Sequence, residues 1–132
     1  MAIRRINHVG IAVHNLDKAV SHFQEAFGGK LVEKKFYEDR QMSAAYMSIG
    51  DSVFELMEPL GEGGLIKRFI EDRGEAIHHI SLEVEDLEQT TRSLEMCGLK
   101  IMGNAVVSGV KLAYVHPKNN FGVLIELIQP QR

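Results

Sequence analysis

The chain writes the same phrases twice, in the same order. Residues 8–13 read HVGIAV and residues 79–84 read HISLEV, 71 residues apart. Asn15-Leu16-Asp17 is answered by Asp86-Leu87-Glu88, and FELMEP at 54–59 by IELIQP at 125–130, both at the same offset of 71. Ala45-Tyr46-Met47 is answered by Ala113-Tyr114-Val115 at an offset of 68, so the second copy gains about three residues after that point. A duplication of this kind commits the chain to two equivalent units before any single element is considered. The halves fall near 1–60 and 75–132, within one domain spanning 1–132.

Each half spells βαβββ. Val9, Ile11 and Val13 alternate with His8, Gly10 and Ala12, which gives a first strand with two distinct faces. Asn15 is placed to cap a helix, with Asp17 in its first turn favoured by the helix dipole. Leu16, Ala19, Val20, Phe23 and Phe27 share one helical face, and Gly28-Gly29 ends the run. Extended stretches follow near 30–38, 42–49 and 52–58. The second half repeats the order with a strand at 77–84, a helix at 87–97 closed by Gly98, and strands near 99–103, 111–116 and 122–129. Between the halves, the glycine-rich turn at 60–64 leads into a short linker helix from Leu65 to Asp72. One helix covers one face of a four-stranded sheet, so the other face needs a cover or is a binding surface. Two such sheets side by side can curl into a half-barrel with a shared concave interior. The expected class is α+β, with two tandem βαβββ modules.

Composition excludes several functions. A net charge of −3 is wrong for non-specific nucleic-acid binding, which needs basic surface. No apolar run approaches the ~20 residues needed to cross a bilayer, and no apolar core follows Arg4-Arg5 to make a signal peptide. The single cysteine, Cys97, excludes an internal disulfide framework and fits a reducing, cytoplasmic setting. Its place at the end of a helical pattern suggests packing.

The repeated glutamates pose the functional question. Ionised carboxylates are seldom fully buried unless paired or bound to metal, yet Glu55 and Glu126 sit within apolar strand-like phrases. Strand parity supplies partners. If Val9, Ile11 and Val13 pack beneath the helix, His8 faces the concave side; by the same rule His79, Ser81 and Glu83 face it in the second copy. Phe54 and Leu56 pack, so Glu55 points opposite them, and Ile125 and Leu127 send Glu126 the same way. Each half then offers one histidine and one glutamate, 47 residues apart in both copies. Two imidazoles and two carboxylates form a ligand set for a divalent first-row metal, and a metal relieves the repulsion between two buried carboxylates. His78 points to the opposite side of its strand from His79 and is not expected to ligate. His14 and His22 are expected at the surface.

These features resemble the vicinal oxygen chelate superfamily, and within it the methylmalonyl-CoA epimerases over nearly the whole chain. The resemblance is carried by Asn7-His8-Val9-Gly10-Ile11-Ala12-Val13, by Leu56-Met57-Glu58-Pro59-Leu60-Gly61, by Ile77-His78-His79-Ile80, and by His116-Pro117-Lys118 followed by Gly122-Val123-Leu124-Ile125-Glu126-Leu127. The resemblance implies metal ligands at His8, Glu55, His79 and Glu126, holding one Co2+, Zn2+, Ni2+ or Mn2+ ion. It further implies an acyl-CoA substrate, a half-barrel fold and a homodimer, with no nucleic-acid or membrane partner. Two departures stand out. Some epimerases are thought to use a further glutamate where this chain has Ala44, and many carry Gly-x-His-Gly where this chain has Val107-Ser108-Gly109-Val110.

The implied reaction interconverts (2R)- and (2S)-methylmalonyl-CoA through removal of the α-proton and a metal-stabilised enolate. Glu126 is expected as the first base, with either Glu55 or a water as the acid on the opposite face. Lys118, Lys111 and Arg68 are candidates for the coenzyme A phosphates. Two alternatives share the fold: glyoxalase I (lactoylglutathione lyase), and a non-catalytic small-molecule-binding protein of the resistance type.

Overall fold

The computed structural model describes residues 2–131. In chain order the elements are β1 (Ile3–Ala12), α1 (Leu16–Phe27), β2 (Lys30–Tyr37), β3 (Met42–Ile49), β4 (Ser52–Pro59), α2 (Leu65–Arg73), β5 (Ala76–Val84), α3 (Leu87–Met96), β6 (Ile101–Val107), β7 (Val110–Val115) and β8 (Ile125–Gln129). The order βαβββ therefore occurs twice, as the repeats require. Contacts divide the chain into two compact units, one running His8–His78 and the other made of residues 2–7 and 79–131.

In the His8–His78 unit, β2 pairs antiparallel with β3, β3 antiparallel with β4, and β4 parallel with the latter part of β1. Asn15 caps α1 as expected, its side chain accepting from Lys18 N, and Gly28 ends the helix in the left-handed region at φ 67°. The apolar stripe of α1 meets one face of the sheet. Leu16 and Val20 join Val13, Ala45, Met47 and Leu56 in a core ringed by Ile11, Phe23 and Phe54. Burying a side chain such as Leu56 contributes about 1.5–3 kcal/mol. Phe27 departs from the expected stripe: it lies in the last turn, past the sheet, and is 63% exposed.

Part of the opposite face of this sheet is covered. Helix α2 lays Ile66 and Ile70 onto Ala12, Met42, Ala44 and Met57. What reads in sequence as a linker is thus a second packing layer.

The other unit repeats the pattern. Strand β6 pairs antiparallel with β7, β7 antiparallel with β8, and β8 parallel with β5. Leu87 of α3 packs on Val84, Ala113, Val115 and Leu127. The β6–β7 hairpin turns through Ser108 and Gly109, both with positive φ (51° and 79°), as a two-residue turn of right-handed strand twist demands. Cys97 contradicts the packing expectation: it sits at the C-cap of α3 and is exposed.

One detail ties helix to sheet identically in both units. The side chain of Glu58, at the end of β4, accepts from the backbone N–H of Leu16 at 2.7 Å. Gln129, 71 residues on, accepts from Leu87 N at 2.8 Å. Each satisfies an orphan donor in the first turn of its helix. Among the described residues no helix is long and apolar enough to cross a membrane.

Candidate active site

In the His8–His78 unit, the parallel pairing of β1 with β4 sets Gly10 against Glu55, and the antiparallel pairing of β3 with β4 sets Tyr46 against Glu55. Side chains on one face of neighbouring strands converge, so His8, Glu55 and Tyr46 meet. His8 Nε2 lies 3.2 Å from Glu55 Oε1, with the two side chains only 8% and 7% exposed. The Tyr46 hydroxyl donates to Glu55 Oε2 at 2.8 Å and lies 2.7 Å from the Tyr37 hydroxyl. Burial above all, and then the Glu55 charge, pushes the Tyr46 phenol far above its ordinary range, so it remains a donor. Burial likewise raises Tyr37.

The other unit builds the same set. Register places Tyr114 and Ser81 against Glu126. His79 Nε2 lies 3.9 Å from Glu126 Oε1, with side chains 4% and 9% exposed, and the Tyr114 hydroxyl donates to Glu126 Oε2 at 3.1 Å. The two sets are not equal. The first is tighter and is backed by Tyr37, whereas the sheet position matching Tyr37 in the second unit is Val107, which has no hydroxyl.

Imidazole and carboxylate are donor types that suit a divalent ion. His8, Glu55 and His79 are each buried and each offers one ligand atom. In both units one carboxylate oxygen faces the imidazole nitrogen while the other accepts from a tyrosine, a hydrogen bond that fixes the orientation of the carboxylate. Glu83, expected on the same face as His79, is already engaged: its Oε1 accepts from Arg5 Nε at 3.3 Å, Arg5 Nη2 at 3.2 Å and Asn7 Nδ2 at 3.2 Å. Its Oε2 lies 4.0 Å from Arg4 Nη1, so the carboxylate ties the first residues of β1 into this unit.

His78 packs edge-on against Phe69 with ring centroids 4.9 Å apart, and His14 and His22 are exposed. Ala44 is fully buried in the α2-side core. Lys111, Lys118 and Arg68 are all exposed. The tyrosines are what sequence reading missed as site residues. Their signal was present, since Tyr46 and Tyr114 recur at the offset of their strand and share the parity of the glutamates' face.

The chain is similar to known proteins over nearly its full length. The profile of the Glyoxalase/Bleomycin resistance protein/Dioxygenase superfamily matches residues 7–115. The ethylmalonyl-CoA/methylmalonyl-CoA epimerase of Cereibacter sphaeroides is 32% identical over 132 aligned residues, covering 96% of this chain and 98% of that protein. The crystal structure of methylmalonyl-CoA epimerase from Mycobacterium tuberculosis superposes with a TM-score of 0.90 at 30% identity, covering 98% of this chain and 90% of that one. A variant of the Streptomyces coelicolor methylmalonyl-CoA epimerase, in complex with 2-nitronate-propionyl-CoA, gives 0.91 at 26% identity over 99% of this chain and 100% of that one. With eight strands and three α-helices among the described residues, the chain belongs to the methylmalonyl-CoA epimerase family of the Glyoxalase/Bleomycin resistance protein/Dioxygenase superfamily.

Proposed function

We propose that this protein interconverts (2R)- and (2S)-methylmalonyl-CoA, using His8, Glu55, His79 and Glu126 to hold one divalent ion. The observation that carries the proposal is the duplicated His–Glu–Tyr set, its histidines and glutamates buried in both units of a chain similar to epimerases over nearly its full length. Co2+, Zn2+, Ni2+ and Mn2+ all suit two imidazoles and two carboxylates. A bound ion would supply Lewis-acid stabilisation of the negative charge that develops on the substrate oxygens.

The chain's own groups must move the proton. The α-carbon of the substrate lies between a thioester and a carboxylate, so loss of its proton leaves a planar enolate, and return from the other face inverts the centre. Glu126 is the proposed base. Its contacts to His79 and Tyr114 are the longer ones, which suits a carboxylate that must shift to reach a proton. Glu55 is held by Tyr46, itself backed by Tyr37, and suits a fixed ligand. Ala44 can transfer no proton, so the acid on the second face is Glu55 or a water. The two modules work as one catalytic domain, in a cytoplasmic homodimer acting on a free acyl-CoA.

The test is proton NMR in deuterated buffer with (2R)- and (2S)-methylmalonyl-CoA, beside the hemithioacetal of methylglyoxal and glutathione. The proposal requires α-deuteration and interconversion of the CoA esters. Turnover of the hemithioacetal alone would assign the chain to the glyoxalase I reaction instead.

A further inference from the structure

Ser81 is fully buried, and its Oγ has no hydrogen-bond partner in the structure. Such a group carries an uncompensated desolvation cost, so an orphaned buried hydroxyl points to an acceptor that arrives in another state. Ser81 stands on β5 two residues beyond His79, on the same face, and its register partner on parallel β8 is Glu126. The duplication isolates what is special about it. The equivalent residue in the first unit is Gly10, the register partner of Glu55, so that position of β1 offers Glu55 no side chain. A hydroxyl therefore accompanies one glutamate of the pair and not the other.

The acceptor can be narrowed. Ser81 is fully buried, which favours an acceptor supplied by the protein itself over one brought in from solvent. Glu83, two residues along the same face, is engaged at both oxygens, Oε1 by Arg5 and Asn7 and Oε2 by Arg4 Nη1 at 4.0 Å. Glu126 is the other carboxylate on that face, and among its contacts Oε1 faces His79 and Oε2 accepts from Tyr114.

We propose that Ser81 is a positioning residue for Glu126. Its hydroxyl donates to the carboxylate when Glu126 leaves its resting place to take the substrate proton. It turns about its Cβ–Oγ bond to suit the carboxyl once that proton has arrived. Ser81 itself gains and loses no proton. The hydrogen bond is absent from the resting protein and made only on the reaction path, so it lowers the barrier without tightening substrate binding. This rests on Glu126 being the moving base of the proposed epimerase.

Ser81→Ala and Ser81→Thr separate this from a structural role. For Ser81→Ala, kcat should fall about 10- to 100-fold, the effect of losing one hydrogen bond to a charged group, while KM and bound metal stay at wild-type values. Its melting temperature should hold or rise by a few degrees, because the deleted hydroxyl is unpaired at rest. Ser81→Thr, which restores a hydroxyl, should recover kcat. Wild-type kcat in Ser81→Ala, a loss expressed in KM, or a melting temperature several degrees lower would each overturn the proposal. The last result would mean that the hydroxyl has a partner in the resting protein, such as a buried water. The melting arm needs no substrate. If the wild-type protein does not epimerise methylmalonyl-CoA, the substrate proposal fails by itself, and the same kcat-against-KM comparison reads Ser81 on the α-proton transfer that the wild type does catalyse.

Discussion

Tyr46 and Glu55 stand opposite one another on antiparallel strands β3 and β4, and the phenol donates to the carboxylate across 2.8 Å. Tyr37 lies 2.7 Å behind Tyr46, so the carboxylate is anchored by a row of hydroxyls reaching back to an edge strand. The second unit keeps the tyrosine, as Tyr114, but puts Val107 at the position of Tyr37. Of the histidine and tyrosine contacts to the two glutamates, those to Glu55 are the shorter, and proteins that do chemistry with one of two like groups use differences of this kind.

Tyr46→Phe removes the donor to a buried carboxylate. The loss should be about 1.5–3 kcal/mol, the range for a hydrogen bond to a charged group. Tyr37→Phe acts one step further from the charge and should cost about 0.5–1.5 kcal/mol. Urea unfolding of the two variants checks the order, which fails if Tyr37→Phe is the more damaging.

The same tyrosines set an alkaline limit. Burial and the nearby Glu55 charge raise Tyr46 well above its unfolded value of 10.0, and burial raises Tyr37 in the same direction. The folded state then keeps protons that the unfolded chain releases. That stability is fully present below about pH 10 and drains away above it, at up to about 1.4 kcal/mol per pH unit for each tyrosine. Unfolding free energies at successive pH values should slope downward from pH 10, less steeply in Tyr46→Phe. A parallel slope in wild type and variant would count against Tyr46 as a source.

Glu58 and Gln129 make equivalent contacts, to Leu16 N at 2.7 Å and Leu87 N at 2.8 Å, but only the first brings a negative charge to a helix N-terminus. Glu58→Ala should cost about 1–2 kcal/mol, and Gln129→Ala about 0.5–1.5 kcal/mol. Added salt should narrow the gap between them in chemical denaturation.

For the proposed metal, His8→Ala and His79→Ala should each abolish stoichiometric binding, since the remaining donors hold a divalent ion far more weakly. His78→Ala should keep its metal, because that ring packs on Phe69. Elemental analysis of the purified proteins reads all three, and full occupancy in His79→Ala would remove that residue from the ligand set.

Period-two parity was enough to send His8 with Glu55, and His79 with Glu126, to one face of their strands, because each strand has large apolar residues on the other. The same parity placed Glu83 beside His79 but could not show that Arg5 and Asn7 already hold it, since those lie 78 and 76 residues away along the chain. Helix α2 reads as a linker because its docking onto Ala12, Ala44 and Met57 is a tertiary fact, and nine residues after a glycine-rich turn carry no mark of it. Cys97 and Phe27 fit helical stripes but fall at helix ends, where the sheet no longer covers them.

The last prediction separates the two glutamates. Glu126→Gln keeps a ligating oxygen and most of the side chain's shape but loses the basicity that the proposed proton removal needs. Losing a positioned general base costs about 10²–10⁴-fold in rate, so epimerisation should collapse while metal content falls only modestly. Glu55→Gln is the contrast. If Glu55 serves only to hold the ion, glutamine offers the same carbonyl oxygen, Tyr46 can still donate to it, and substantial activity should survive. If Glu55 is the acid on the opposite face, epimerisation should be lost while exchange of the substrate α-proton with solvent persists for one epimer only. Deuterium incorporation into each epimer, followed by NMR in both variants, distinguishes these cases. Equal exchange from both epimers in Glu126→Gln would place the base on another residue, and the unequal anchoring of the two carboxylates would then have no part in the proton transfer.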